Sequence, residues 1–244
     1  MTGVFAAHYY YGFYYDWTYV LVLIGAVLCL AASAYVRTTF RKYSSVRSRS
    51  NLTGEMVARR LLQSQGITDV RVEHIRGSLT DHYDPREKVV RLSDAVYGST
   101  SVAAIGVAAH ECGHAIQHDT GYAFLQFRSA FVPVANFGSK LAWPLIIIGL
   151  IIGGSASQLL IELGIVCFSL AVLFQLITLP VEFNASGRAL RLLESEGILG
   201  SEETKSSACV LRAAALTYVA SAASAILQLL RLIILFGGRR QNDD

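Results

Sequence analysis

Four long stretches without a charged residue constrain the fold of this chain more than any other feature. They cover residues 17–36, 141–161, 163–181 and 213–230. An α-helix needs about 20 apolar residues to cross the hydrocarbon layer of a bilayer, so each stretch is close to the length that spans a membrane. The chain is 53% hydrophobic and only 16% charged, which excludes an ordinary soluble domain. We therefore predict a mainly α-helical membrane protein with about four apolar spans.

A cluster of basic residues follows the first span and predicts the orientation of the chain. Its members are Arg37, Arg41, Lys42, Arg47 and Arg49. Basic residues collect on the cytoplasmic side of a membrane. We therefore expect a multi-pass protein of the bacterial inner membrane, with the N-terminus outside and the chain after residue 37 on the cytoplasmic side. Because the basic residues cluster here, we predict contact with the lipid bilayer and no nucleic-acid partner.

The segment between the first two spans has the pattern of a small α+β unit. Residues 52–65 are amphipathic and predict a helix that stops at Gly66. Residues 70–75 and 88–92 alternate apolar and polar side chains, which predicts two short strands joined by residues 77–85. This strand pair has two possible roles. It can align an extended peptide through main-chain hydrogen bonds, or it can form a hairpin that shields the neighbouring helix.

A His-Glu-x-x-His motif occupies residues 110–114. We predict a helix over residues 101–117, with the serine and threonine residues at its start as N-cap candidates. On this helix His110 and His114 lie one turn apart on the same face, with Glu111 beside them. Two imidazoles so placed can bind one zinc ion and leave a coordination position for water, whose protons the carboxylate can move. The alternative is a surface helix with two solvated histidines, which the small apolar residues around the motif disfavour.

A catalytic zinc ion bound by two histidines needs a third protein ligand. We expect the second and third apolar stretches to form a helical hairpin through the bilayer, whose return leg ends at Pro180 and is followed by a solvated helix and loop over residues 187–206. Such a hairpin places Glu182 on the same membrane side as His110 and His114, and a carboxylate suits a catalytic site. Glu182 is therefore the predicted third ligand. The alternative is a juxtamembrane carboxylate that only ends the span.

The chain resembles the YugP-type neutral zinc metallopeptidases of bacteria, a membrane family distantly similar to the HtpX-like gluzincins. The resembling stretches are residues 79–85, 91–93, 103–118, 179–190 and 211–219. The resemblance implies that His110 and His114 bind zinc, and that Glu111 is the catalytic carboxylate. It also implies that Glu182 is the third ligand, in agreement with the hairpin.

One departure from the related group concerns the residue that orients a ligand histidine. The HtpX-like proteins have an aspartate where this chain has Ser186. A serine can accept a hydrogen bond from a histidine but carries no charge, so it would support the ligand less strongly. Asn184 and Asp81 are the candidates to substitute for the missing aspartate.

Several other side chains are candidates for supporting roles. His82 is the predicted hydrogen-bond donor to the oxyanion of the tetrahedral intermediate, with Arg188 and Tyr218 as alternatives; a structural loop histidine is the other interpretation of His82. His118 continues the face of the motif histidines but lies roughly 12 Å along the helix axis from the first of them, too far to bind the same metal. Cys112 points away from that face and is expected to fill space in the core.

The predicted organisation has four regions. They are an aromatic segment with the first span (1–36), a cytoplasmic zincin-like region with the catalytic helix (37–132), the transmembrane hairpin (133–181), and a segment with the third ligand and a C-terminal membrane helix (182–244). The last apolar stretch either crosses the bilayer or lies in its interface, because crossing would leave two arginines of the tail outside.

These features together predict a membrane-bound zinc-dependent endopeptidase with one Zn²⁺ per chain, acting on a peptide or membrane-protein substrate. An intramembrane protease of the site-2 type would need an aspartate ligand in a later apolar span, and neither the second nor the last stretch contains one. The alternative from another functional class is a non-catalytic membrane scaffold with a structural metal site. That scaffold would need a fourth protein ligand, such as Cys112 or His82.

Overall fold

A computed structural model of the chain describes residues 16–237. In chain order the elements are α1 (Tyr19–Ser44), α2 (Gly54–Ser64), β1 (Arg71–Ile75), β2 (His82–Asp84), β3 (Val89–Ser93), α3 (Val102–Asp119), α4 (Ala123–Ile152), α5 (Gly154–Ser195) and α6 (Ser201–Phe236). The aromatic segment of residues 1–15 and the tail from residue 238 onward lie outside the described residues. The prediction of a mainly α-helical fold is confirmed.

Four of these helices are long and apolar enough to cross a membrane, namely α1, α4, α5 and α6. Their outward surfaces are apolar, as illustrated by Leu30 and Ile151, which are 71% and 78% exposed. Contiguous apolar surface of this kind is unfavourable in water but not in lipid. The chain is therefore a membrane protein with four apolar helices, as its sequence predicts.

Helices α1 and α6 pack against each other in opposite directions. A Cβ atom at Gly25 would lie 2.6 Å from the Ser224 hydroxyl oxygen, so the glycine permits the close approach of the two helices. At the far end, Arg231 donates a hydrogen bond of 2.9 Å to the Asp16 carboxylate, and its guanidinium lies 4.1 Å from the centre of the Tyr19 ring. This partly buried ion pair joins the start of α1 to the end of α6.

Helices α4 and α5 form a hairpin whose turn lies at Gly153 and Gly154. Both glycines have positive φ angles, 66° and 72°, which residues with a side chain rarely adopt. The helices are longer than predicted, and α5 does not end at Pro180 but continues to Ser195. The helix and loop predicted over residues 187–206 are present as the end of α5, a turn and the start of α6, but one face of the helix, with Ala189 and Leu193, is buried rather than solvated.

Tertiary packing explains why α5 continues beyond its proline. Val181, Ala185, Ala189 and Leu193, at the four-residue spacing of one helix face, are all fully buried. The hydrogen bond that Pro180 cannot donate is offset by the burial of this apolar face.

Both predicted strands are present, as β1 and β3, and the sheet contains a third strand that was not predicted. Strands β1 and β3 are parallel neighbours, whereas two strands joined by a simple turn are antiparallel. The segment between them contains β2, which pairs antiparallel to β3 and gives the order β1-β3-β2. Because β2 returns along the sheet before β3 starts, the segment of residues 77–85 is not a simple loop. Strand β2 lies at an edge of the sheet.

Helix α3, which carries the motif, lies at the centre of the fold. It begins with Ser101 as N-cap, whose hydroxyl accepts a hydrogen bond of 3.2 Å from the Ala104 amide. Its small residues, such as Ala104 and Ala108, are completely buried in a core shared with Leu61 of α2 and Leu193 of α5. The alternative of a solvated surface helix is therefore wrong.

Candidate metal centre

Three side chains from two helices converge on one point. Glu182 Oε2 lies 3.4 Å from His110 Nε2 and 3.6 Å from His114 Nε2. The two imidazoles come from successive turns of α3, with ring centres 4.7 Å apart. The carboxylate comes from α5, beyond Pro180, where the helix crosses α3. One ligand atom from each residue lies within 4.8 Å of the others, so a single cation can contact all three.

The donor atoms of this cluster fit a metal ion. Glu182 is only 3% exposed, and its Oε2 atom has no hydrogen-bond partner. A buried carboxylate oxygen without a partner is costly unless a cation compensates its charge. Two imidazole nitrogens and one carboxylate oxygen are donors that zinc accepts, and three protein ligands leave a coordination position open, as in catalytic zinc sites.

Each histidine is oriented by a hydrogen bond at its other ring nitrogen. His110 Nδ1 lies 3.1 Å from the Ser186 hydroxyl oxygen, and His114 Nδ1 lies 3.0 Å from the Gln117 side-chain oxygen. When each Nδ1 carries the hydrogen, both Nε2 atoms present a lone pair toward Glu182. Ser186 thus contacts a histidine directly, in the position where the related group has an aspartate.

Gln117 contacts a histidine of the metal cluster and was not predicted from the sequence. It is completely buried, and its amide nitrogen donates hydrogen bonds to the Val181 carbonyl at 2.8 Å and to Asn184 Oδ1 at 3.0 Å. Asn184 therefore acts on a histidine only through Gln117. The signal was present in the sequence, since position 117 follows His114 by three residues and shares its helix face.

Two cavities meet at the metal cluster. The larger has a volume of about 870 Å³ and lies between β2, α3, α4, Glu182 and Tyr218. The smaller, of about 220 Å³, lies between α1, α3, α5 and α6. Five residues border both cavities: Asp81, His110, Glu111, Glu182 and Tyr218. A substrate that occupies both cavities must therefore pass the metal cluster.

Glu111, the predicted catalytic carboxylate, lies beside the metal cluster. It borders both cavities beside His110 but is only 7% exposed. Burial raises the pKa of its carboxyl group above the ordinary value, while the two histidines oppose this shift.

Asp81, the other candidate to orient a histidine, instead accepts hydrogen bonds from the Ser93 amide and hydroxyl, at 2.7 Å and 3.0 Å.

Comparison with known proteins places the chain in a family. The model of a family described as "Putative neutral zinc metallopeptidase" matches residues 18–237. The chain belongs to this neutral zinc metallopeptidase family. It is 49% identical, over 226 residues, to a Bacillus subtilis (strain 168) protein named "Putative membrane protease YugP". The aligned residues cover 92% of this chain and 99% of that protein. No solved structure matches the chain. The predicted family is thereby confirmed, and the zinc that it implies suits the His-His-Glu cluster.

The remaining candidate residues lie at different positions relative to the metal cluster. His82 and His118 border the larger cavity, and Tyr218 borders both cavities. The His118 Nδ1 atom lies 2.9 Å from the Tyr83 hydroxyl, which joins the end of α3 to β2. Arg188 borders neither cavity, and instead donates a hydrogen bond of 2.8 Å to Asn184.

Cys112 faces away from the metal cluster. It is completely buried, and its thiol lies 3.6 Å from the Ala58 carbonyl oxygen of α2. Burial raises the pKa of this thiol well above its ordinary value, so it is uncharged and fills space between α2 and α3. It supplies no fourth ligand.

The crossing of α3 and α5 depends on a glycine, which leads to a testable prediction. A Cβ atom at position 113 would lie 2.6 Å from the Ala185 carbonyl oxygen. We expect Gly113→Ala to force the helices apart, to destabilise the protein by about 1–3 kcal/mol, and to weaken zinc binding by displacing Glu182. Thermal unfolding and zinc content of the detergent-purified variant measure both effects.

Gly187→Ala is the matched control, because a Cβ atom there would meet only the Arg191 side chain, at 3.6 Å. This change should stabilise the helix by about 0.5–1 kcal/mol. Equal stability and zinc content in the two variants would contradict the role of Gly113.

The contact between Ser186 and His110 supports a second prediction. Ser186→Ala removes the hydrogen-bond partner of His110 Nδ1, and we expect zinc affinity to fall roughly 10–100-fold. Ser186→Asp should bind zinc more tightly than Ser186→Ala, because a carboxylate is a stronger acceptor. Competition with a chelator measures the affinities, with Ser195→Ala, an exposed serine of the same helix, as control. Unchanged affinity in Ser186→Ala would show that the hydrogen bond does not orient the ligand.

Proposed function

We propose that this chain is a membrane-bound zinc endopeptidase with one zinc ion per chain. The observation that carries the proposal is the convergence of His110, His114 and Glu182, with Glu111 beside them, at the junction of two cavities. A buried cluster of this composition at the junction of two cavities suits a reaction on an extended substrate, which passes the metal from one cavity to the other.

Glu111 is the proposed general base and general acid. Zinc, when bound, supplies a Lewis acid that polarises the scissile carbonyl and acidifies the attacking water. Glu111 accepts a proton from that water as its oxygen forms a bond to the carbonyl carbon. The same carboxyl group then gives the proton to the nitrogen of the leaving amine as the carbon–nitrogen bond breaks, which yields a carboxylate and an amine.

Tyr218 is the better placed donor for the oxyanion, and His82 is the alternative. His82 Nδ1 lies 2.9 Å from the Thr80 carbonyl oxygen, which can only accept a hydrogen bond. A neutral His82 therefore carries its hydrogen on Nδ1 and has none on Nε2, so it can donate into the cavity only when doubly protonated. The Tyr218 phenol carries its hydrogen at neutral pH and borders both cavities beside Glu111.

Strand β2 is the proposed guide for the peptide backbone. It is an edge strand of the sheet, and His82 and Tyr83 within it border the larger cavity. An extended peptide can add to such an edge through main-chain hydrogen bonds. This role suits an endopeptidase, because it requires no chain end of the substrate.

The proposed location of the centre is the cytoplasmic face of the inner membrane. Helix α5 has 42 residues and is therefore about 63 Å long, twice the thickness of the hydrocarbon layer. Its second half, which contains Glu182, can extend beyond the lipid. Val36 of α1 borders the smaller cavity and directly precedes the basic cluster of residues 37–49, so the centre and the cluster share one side of the membrane. The positive-inside rule favours the cytoplasmic side.

The alternative of a scaffold with a structural metal site receives less support. A structural zinc site is closed by four protein ligands. Within residues 16–237, the group that can hold a metal has three members. Cys112 faces α2, and His82 bonds through Nδ1 to the backbone.

Purified protein tests the proposal directly. We expect detergent-solubilised protein to contain about one zinc ion per chain and to cleave casein, to lose cleavage when a chelator removes the metal, and to regain it when zinc is added. A zinc-loaded protein that cleaves neither casein nor a diverse peptide mixture would contradict the proposal, as would cleavage that persists without metal.

A further inference from the structure

The wall of the larger cavity carries an arginine without an acidic partner. Arg128 of α4 is partly buried and borders the cavity. Among residues 16–237, no carboxylate oxygen lies within 4.0 Å of its guanidinium. A planar guanidinium presents a fork of donors that matches a carboxylate. Arg128 is thus positioned to bind an anionic group of a ligand.

The acidic residues that border the larger cavity are engaged elsewhere. Asp81 accepts two hydrogen bonds from Ser93. Glu182 belongs to the metal cluster, and Glu111 lies beside it. Arg86, a second arginine of the cavity wall, is exposed and has no ion pair within the described part of the chain. The wall of the larger cavity therefore offers two arginines without ion pairs in the described part of the chain to an anionic ligand.

The smaller cavity has the opposite character. Apart from the residues that it shares with the larger cavity, its wall is mostly apolar and includes Val36 of α1, Val107 of α3, and Leu211 and Ala214 of α6. Its volume of about 220 Å³ suits one large apolar side chain. It lies between α1 and α6, two of the apolar helices.

We propose that the enzyme selects peptides that insert a large apolar side chain into the smaller cavity and hold a carboxylate against Arg128 in the larger one. The scissile bond would lie between these two groups, because the cavities meet at His110, Glu111 and Glu182. The carboxylate comes from an aspartate or glutamate side chain or from the C-terminus of the substrate. This selectivity rests on the proposed peptidase function, and it fits segments in which an apolar stretch meets an acidic flank.

Two pairs of fluorogenic peptides, all with a leucine on one side of the cleavage point, test the charge selectivity. One pair has glutamate or glutamine on the other side, and the second pair ends in a free carboxylate or an amide. We expect the wild type to favour the acidic member of one pair by about tenfold to a hundredfold in kcat/KM. In Arg128→Gln that ratio should fall to near one, whereas Lys140→Gln, an exposed lysine of α4 outside both cavities, should retain it.

The peptide pair whose acidic member is cleaved faster shows whether the carboxylate comes from a side chain or from the C-terminus of the substrate. Absence of any charge preference in an active wild type, or a preference that persists in Arg128→Gln, would overturn this inference and leave the peptidase function intact. If zinc-loaded wild type cleaves none of these peptides and no casein, both the function and the inference fail.

A second substitution tests the apolar half of the proposal. Ala214→Leu fills part of the smaller cavity, and we expect it to shift preference from leucine to alanine at the apolar position by tenfold or more. Ala225→Leu, on the same helix and outside both cavities, is the control for the added volume. An unchanged preference in a folded, active Ala214→Leu variant would overturn the assignment of this cavity.

Discussion

Replacement of Glu111 by glutamine is expected to lower peptide hydrolysis roughly 10²–10⁴-fold while zinc remains bound, since general acid–base catalysis contributes about this factor. Glutamine keeps the shape of the side chain and its place beside His110 but cannot accept a proton from water. The three atoms that converge on the metal position belong to other residues, so the metal content should not change. Casein or peptide cleavage and the zinc content of the same preparation are the two measurements.

A matched control separates this effect from a general loss of charge. Glu194 is an exposed glutamate of α5 that borders neither cavity, and Glu194→Gln should cleave at the wild-type rate. Activity of Glu111→Gln near that of the wild type would show that another group moves the proton. Loss of zinc together with activity would instead mean that Glu111 supports the metal.

Removal of the Glu182 carboxylate should eliminate zinc binding and activity together. Glu182→Ala leaves two imidazoles, and two protein ligands are fewer than the three that catalytic zinc sites use. The same change also removes a buried carboxylate that lies 3.4 Å from His110 Nε2 and 3.6 Å from His114 Nε2. Because removal of one member of a buried charged cluster is destabilising, the metal-free variant should be less stable than the wild type.

The two consequences for Glu182→Ala are distinguished by thermal unfolding with and without zinc. Zinc at a hundred times its dissociation constant should stabilise the wild type by about 2.7 kcal/mol and should leave Glu182→Ala unaffected. Glu162→Ala, an exposed position on the same helix, should respond to zinc like the wild type. Full zinc occupancy in Glu182→Ala would transfer the third ligand to another residue, and His82 would be the next to replace.

The elements that were predicted well are those with a local signature. An uncharged apolar stretch of about 20 residues predicts a spanning helix wherever it occurs, and α1, α4, α5 and α6 follow that rule. The motif helix is also encoded locally, because Ser101 caps α3 and the spacing of His110 and His114 places both on one face. The convergence of Glu182 on these histidines followed from the hairpin and from the family resemblance together.

The errors lie where distant segments decide the outcome. Pro180 signals the end of a helix, yet α5 continues because its next residues are buried against α3, which no local pattern reveals. Strands β1 and β3 have alternating sequences that do not encode direction, and the return of the chain through β2 makes them parallel. The support of His114 by Gln117, and of Gln117 by Asn184, likewise exists only after α3 and α5 have crossed.

The sequence by itself thus determined the helices, the membrane character and the chemistry of the motif, because periodicity, charge and spacing act within one or two helical turns. Tertiary structure decided where α5 ends, how the strands pair, and which side chains share a cavity with the metal cluster. Tyr218 and Arg128 are separated from the motif in sequence, and only the packing of α4 and α6 around α3 brings them to it. The physical reason is that burial and close packing depend on which distant segments come into contact. The residues next to a position in the sequence do not specify those contacts.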